Sequence, residues 1–193
     1  YRFMENMQDQ IFEMFPKYKK DNLLKIKRKN YTKPLPKKVK FNTIMNFLNN
    51  NRPYEGEEYI GEVIHHPFDV TRDRKWQLSS RYHWVNLIPL IFYPSRTIEF
   101  RIHQGSFNKY KIVYWMLICV ALVEYVKTTG SYDAIPLKDL LNKVYPEDDV
   151  ADALYTHYEE MCTYYKDYDE EGDLGYIKDV ADDYIYEPKI KLL

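Results

Sequence analysis

Glycine is scarce in this chain, with 6 glycines among 193 residues. The glycine-rich loops that cradle the phosphates of mononucleotides and dinucleotides need several glycines at fixed spacing, and neither pattern occurs. The Gly-x-Ser-x-Gly motif, which presents a serine nucleophile on a tight turn, is also absent. A nucleotide would therefore have to be held by strands and basic side chains, and the sequence disfavours a serine nucleophile.

Cysteines and long apolar runs are also few. Cys119 and Cys162 lie at apolar, helix-like positions and match no metal-binding spacing, so we expect free, buried thiols. With no disulfide scaffold and no signal peptide in view, we expect a reducing, cytoplasmic setting. The longest apolar stretch, residues 112–126, is about fifteen residues and contains Glu124, which is short for a membrane span. It predicts a buried core helix and no membrane contact.

The net charge of −1 hides an uneven distribution. Residues 17–40 form a lysine-rich loop whose single acid is Asp21, and Pro34 and Pro36 argue against a long helix there. Interleaved tyrosines would allow this loop to bind nucleic acid or another polyanion, and a solvated surface loop is the simpler alternative. Residues 166–193 are acidic and tyrosine-rich, and we expect a surface arm or a protein partner contact.

Apolar spacing predicts helices over residues 1–15, 42–50, 108–127, 136–144 and 148–165. Pro16 would stop the first helix. Ser106 or Asn108 would cap the helix at 108–127, and Gly130 would follow its end.

Residues 81–103 read as two strands joined by a turn at 94–96. In the second strand Ile98, Phe100 and Ile102 share an apolar face, because side chains alternate along a strand. The opposite face carries the residues Thr97, Glu99, Arg101 and His103.

This polar row is the best candidate for chemistry. Arg101 supplies a planar cation that suits phosphate or carboxylate, Glu99 can bind a divalent cation or orient the arginine, and His103 can move a proton. An exposed sheet face with cross-strand ion pairs is the alternative. The adjacent His65 and His66 would point to opposite faces of an extended chain, so a surface loop is favoured there over a metal site.

A family resemblance is carried by the residues of this hairpin and of the helix that follows. Its elements are Arg81-Tyr82, Asn86-Leu87, the strand Thr97-Ile98-Glu99-Phe100-Arg101-Ile102, Gly105, Trp115 and Leu122-Val123-Glu124-Tyr125. This pattern resembles the putative amidoligase family, relatives of glutamine synthetase and glutamate–cysteine ligase. A thinner likeness covers residues 1–30, where the family often has arginines and this chain has Lys19, Lys20 and Asn22.

The resemblance implies an ATP-dependent carboxylate–amine ligase that forms an amide through an acyl phosphate, with Mg²⁺ as cofactor and small-molecule or peptide substrates. It implies Glu99 as a catalytic and metal-binding carboxylate and Arg101 as a catalytic and phosphate-binding group. Arg81, His103, Lys19 and Lys20 would be further binders of substrate or phosphate. The family's Glu-x-Glu and His-x-His motifs are absent, which implies that this chain is the C-terminal part of a ligase, or that activity has been lost.

We therefore expect an α+β fold, a small antiparallel sheet with helices on one face, as in part of a glutamine-synthetase-like ligase. One domain would cover residues 1–165 and an arm residues 166–193. The alternatives are a non-catalytic structural or interaction protein that retains the ligase fold, viral or virion-associated in origin, and a nucleic-acid-binding module.

Overall fold

The computed structural model describes residues 1–16, 35, 83–87, 89–90, 95–103, 105–168 and 185–192. These residues belong to two compact units, one drawn from Tyr1 and Lys25–Ile102 and the other from Arg2–Leu24 and His103–Leu193. Among the described residues, the first unit holds a small sheet and the second holds four helices, so the described part of the chain is helix-rich and α+β, as predicted. Apart from Leu35, the lysine-rich loop and the helix predicted at 42–50 lie outside the described residues. The division into a domain and an arm at residue 165 stays a prediction.

The sheet of the first unit is a two-stranded antiparallel ladder of β1 (Val85–Asn86) and β2 (Glu99–Phe100). Val85 faces Phe100 and Asn86 faces Glu99 across the ladder. The predicted antiparallel pairing is confirmed. The strands are shorter than the predicted segments, although the backbone N–H of Arg101 still donates to the carbonyl of Trp84 at 2.7 Å.

Burial differs between the two strands of this ladder, because Val85 and Asn86 of β1 are both buried whereas Glu99 and Phe100 of β2 are both partly exposed. Trp84, Val85 and Ile102 are buried, and the rings of Trp84 and Phe100 lie 6.2 Å apart. Arg96, in the predicted turn, has a φ of 49°, a left-handed conformation that reverses the chain direction. The turn and the ladder register together bring Asn86 and Glu99 to one face.

The described residues of the second unit contain four helices: α1 (Arg2–Glu13), α2 (Lys109–Thr129), α3 (Leu137–Val144) and α4 (Asp148–Tyr168). Their bounds follow the predicted ranges within a few residues. The predicted apolar stripe of the first helix is confirmed, since all of its members are buried: Phe3, Met4, Met7, Ile11, Met14 and Phe15. The stripe is what anchors α1 in the core of this unit.

The ends of α2 are set by the two residues that the sequence indicated. The Asn108 side chain accepts hydrogen bonds from the backbone N–H groups of Tyr110 and Lys111, at 3.0 and 3.2 Å, as an N-cap does. Gly130 adopts a φ of 65° and donates its N–H to the Val126 carbonyl at 2.8 Å.

The sequence predicted a buried core helix here, and α2 is exposed along one face. Ile112, Met116 and Val120, spaced four residues apart, are 38%, 60% and 49% exposed. The buried positions are Tyr110, Lys111, Tyr114, Trp115, Ile118, Ala121, Leu122 and Tyr125. Three of these are tyrosines, whose rings fill core space while their hydroxyls reach polar partners. Counting aliphatic residues alone therefore does not identify the buried face of α2.

The N-cap residue of the short helix α3 is Pro136, whose side chain makes no capping hydrogen bond. Gln10 of α1 supplies the missing partner, because its Oε1 accepts from the Leu137 N–H at 3.0 Å while its Nε2 donates to the Ile135 carbonyl at 3.0 Å. The hydroxyl of Tyr158 on α4 donates to the Gln10 carbonyl at 3.2 Å. One glutamine thus ties three helices together.

Among the described residues, α2 is long and apolar enough to cross a membrane by length and composition. Core helices of soluble proteins share these properties, and α2 packs its tyrosine face against the other helices of its unit. The absence of membrane contact stays a prediction.

Candidate functional site

The polar face of the sheet places two donor side chains around one carboxylate oxygen, Oε2 of Glu99. Arg101 donates to it from Nε at 2.9 Å and also from Nη2. Asn86, the cross-strand neighbour, donates from Nδ2 at 2.8 Å. The predicted contact between Glu99 and Arg101 is therefore present, and Asn86 completes the cluster.

Backbone geometry holds this cluster in place. Asn86 and Glu99 are directly paired in the ladder, and the Arg101 N–H is bonded to the Trp84 carbonyl. Trp84 and Asn86 are buried, whereas the side chains of Glu99 and Arg101 are 41% and 25% exposed. The buried residues Trp84 and Asn86 thus orient the side chains of Glu99 and Arg101, which remain partly open to solvent.

This cluster can engage a charged ligand in two ways. A guanidinium carries five N–H donors in a rigid fork, and the two bonds to Glu99 fix the plane of that fork. A carboxylate that is oriented by hydrogen bonds is a ligand for Mg²⁺, which is commonly bound through one or two carboxylates plus phosphate oxygens and water. No group of three or more His, Cys, Asp or Glu able to hold a metal occurs among the described residues.

Of the other predicted site residues, His103 is the one that the structure describes. Arg81, Lys19 and Lys20 lie outside the described residues, as do His65 and His66. β2 ends at Phe100, so the strand alternation that predicted His103 on the polar row stops before it. His103 belongs to the second unit, where its ring stacks on Trp115 with centroids 5.8 Å apart and meets the edge of Phe15 at 6.0 Å.

A second polar cluster, which the sequence interpretation missed, joins α4 to residues 185–192. The Tyr186 hydroxyl lies 2.6 Å from Nδ1 of His157 and donates to Oε2 of Glu160 at 2.7 Å. His157 is 2% exposed, and burial, followed by the positive charges of His103 and Lys111, lowers its pKa to about 3. Burial raises the pKa of Tyr186 above its usual range. Both groups are therefore neutral at physiological pH.

A cavity of about 10 Å³, room for about one water molecule, lies beside this cluster. Its lining combines two imidazoles, an ammonium and apolar groups: Met14, Phe15, His103, Lys111, His157, Met161 and Tyr165. In the sequence, His157 occupies a helix position that the apolar pattern assigns to the core, and this position was the one indication of the cluster.

The two cysteines form no disulfide bond. Cys119 and Cys162 are both only partly buried, so the expectation of fully buried thiols is wrong. Burial raises the pKa of the Cys119 thiol, which keeps it protonated and a poor nucleophile.

Comparison with protein families identifies one matching model, described as a putative amidoligase enzyme, over residues 6–123. The matched range includes most of α1, the sheet with Glu99 and Arg101, and most of α2. No curated protein and no solved structure gives a significant match to the chain.

Proposed function

Because the chain belongs to the putative amidoligase enzyme family, a family of ligase-type enzymes, we propose that it is the C-terminal part of an ATP-dependent carboxylate–amine ligase with a glutamine-synthetase-like fold. Its substrates would be a small-molecule or peptide carboxylate and an amine. The observation that supports this most is the Glu99–Arg101–Asn86 cluster on the polar face of the sheet.

In the proposed reaction a substrate carboxylate attacks the γ-phosphorus of ATP, which forms an acyl phosphate and releases ADP. The amine then attacks the acyl carbon, the C–O bond to phosphate breaks, and the products are the amide, inorganic phosphate and a proton. Mg²⁺ would neutralise charge on the phosphate oxygens, with Glu99 as one of its ligands.

Within this reaction the chain's own groups bind and orient. Arg101 would hold an anionic oxygen of the phosphate or of the carboxylate with its guanidinium, and Glu99 would fix the plane of that guanidinium. Asn86 holds Glu99 in turn through the 2.8 Å bond to Oε2. Arg81, Lys19, Lys20 and His103 remain candidates for further contacts to phosphate.

A second candidate function is a non-catalytic protein that retains the fold. It is favoured by the bonds from Arg101 and Asn86 to Glu99, because a cross-strand cluster of this kind also stabilises an exposed sheet face. Binding of Mg·ATP distinguishes the two functions, since a purely structural cluster has no need of the nucleotide.

The test is a thermal unfolding series with and without Mg·ATP. We expect the nucleotide to raise the midpoint of the wild-type chain, because a ligand that binds only the folded state stabilises it. Arg101→Lys keeps the charge but removes the two-donor fork that meets Glu99, and it should lose most of the shift. Arg96→Lys, an exposed arginine of the same unit, is the matched control and should keep the shift.

A wild-type chain with no shift at saturating Mg·ATP would contradict the ligase proposal. Equal shifts in Arg101→Lys and Arg96→Lys would contradict the assignment of the site to the Glu99–Arg101–Asn86 cluster.

A further inference from the structure

Residues 185–192, here called the strap, contact the side chains of α2 and α4 and the α2 cap mainly through main-chain atoms. Asn108 Nδ2 donates to the Tyr186 carbonyl at 2.8 Å, and the Lys189 N–H donates to Glu160 Oε1 at 3.0 Å. The Tyr114 hydroxyl donates to the Ile190 carbonyl at 2.6 Å and accepts from the Leu192 N–H at 3.0 Å. This is how a protein surface holds a linear peptide, because main-chain bonds supply affinity with little demand on sequence.

One side chain of the strap supplies specificity. The Tyr186 hydroxyl gives its single proton to Glu160, so the 2.6 Å contact to His157 is a bond donated by Nδ1–H. The Lys111 ammonium lies 5.4 Å from the centre of the Tyr186 ring. Glu160 and His157 thus bind the hydroxyl of Tyr186, and the ammonium of Lys111 lies over the face of its ring.

The next buried residue along the strap is apolar. Pro188 is buried, two residues after the tyrosine, whereas Glu187 between them is exposed and pairs with Lys191 at 2.7 Å within the strap itself. The pattern that this surface recognises is therefore Tyr-x-Pro in a main chain held by Asn108, Tyr114 and Glu160.

We propose that this face of α2 and α4 is a docking surface for Tyr-x-Pro peptides of a partner protein, and that the strap occupies it in cis. This interaction is separate from the ligase chemistry proposed for the sheet. A partner peptide must displace the strap, so the strap lowers the apparent affinity of the surface in the intact chain.

Two ligand preferences follow from the charges. A peptide with phenylalanine in place of tyrosine leaves Glu160 and His157 without their hydroxyl partner, and it should bind roughly tenfold more weakly. A phosphotyrosine peptide places negative charge against Glu160, and it should also bind more weakly. This surface is therefore distinct in kind from arginine-based phosphotyrosine sites.

The experiment uses a fluorescent peptide of residues 185–192 and fluorescence anisotropy. Tyr186→Ala in the full chain removes the anchor of the strap but leaves the surface intact. We expect the peptide to bind this variant about tenfold more tightly than the wild-type chain. Adding Glu160→Gln to the variant should weaken binding, and adding Glu159→Gln, an exposed neighbour, should leave it unchanged.

Three results would overturn the proposal: a scrambled peptide that binds equally well, the same affinity after Glu160→Gln as after Glu159→Gln, or no binding by a folded Tyr186→Ala chain. If Tyr186→Ala does not fold, excess peptide is added to the wild-type chain and amide hydrogen exchange is measured at Lys189 and Leu192. Faster exchange at both supports displacement of the strap, and unchanged exchange overturns it.

Discussion

At the scale of single residues, the contacts of each ionisable side chain decide what it can do. Glu99 and Arg101 meet on a partly exposed sheet face, where both side chains are accessible to a ligand. His157 is buried among Tyr114, Tyr186 and the positive groups Lys111 and His103, where a proton is disfavoured. Glu99 and Arg101 therefore suit the binding of a ligand, whereas His157 makes the stability of the fold depend on pH.

The pKa of His157 gives a prediction of that dependence. The pKa is about 3 in the folded chain and about 6.5 in an unfolded one, so between these values the unfolded chain binds a proton that the folded chain does not. Stability should therefore fall as pH drops below about 6.5 and level off below about 3. From pH 7.5 to 5.5 the expected loss from this residue is about 1.4 kcal/mol.

The measurement is urea unfolding of the wild-type chain and of His157→Gln at both pH values. The variant removes the titrating group, so its free energy of unfolding should change less over the interval, by about 1.4 kcal/mol. Equal changes in the two proteins would show that His157 does not carry the effect.

The sequence could predict Glu99 and Arg101 because strand alternation placed both on one face. It could not predict the bond from Asn86 to Glu99, which depends on the register of two strands and not on either strand alone. It also could not bring His157 and Tyr186 together, because their contact depends on how the strap folds back onto α4.

At the scale of elements, α2 shows which sequence signals are dependable. Its two ends were predicted from Asn108 and Gly130, because capping depends on one side chain or one backbone angle close in sequence. Its buried face was not, because the core took tyrosines in place of the aliphatic stripe Ile112, Met116 and Val120. Local chemistry fixes helix ends, whereas tertiary packing chooses the buried face.

The C-terminal end of α2 gives the prediction at this scale. Gly130 has a φ of 65°, which an L-residue adopts at a cost, so Gly130→Ala should lower the free energy of unfolding by about 1 kcal/mol. Gly105→Ala is the matched control, because an added Cβ there meets no atom within 4 Å and its φ is not in the left-handed region. Urea unfolding of both variants checks this, and a Gly105→Ala loss as large as that of Gly130→Ala would contradict the explanation.

At the scale of the whole molecule, the described residues contain a small sheet with a charged cluster and a helical unit with its own polar network. The family match, from residue 6 to residue 123, includes the described residues of the sheet but ends within α2, before α3, α4 and the strap. Glycine scarcity had already excluded a glycine-rich nucleotide loop. The nucleotide that the ligase proposal requires would therefore be held by strands and basic side chains.

The most direct test of the ligase proposal is the product ratio of the full-length protein with Mg·ATP and mixtures of candidate carboxylates and amines. The account predicts ADP, inorganic phosphate and amide in equal amounts, formed only when both a carboxylate and an amine are present, and lost in Glu99→Gln. Release of AMP and pyrophosphate, or amide formation that is unchanged in Glu99→Gln, would contradict it.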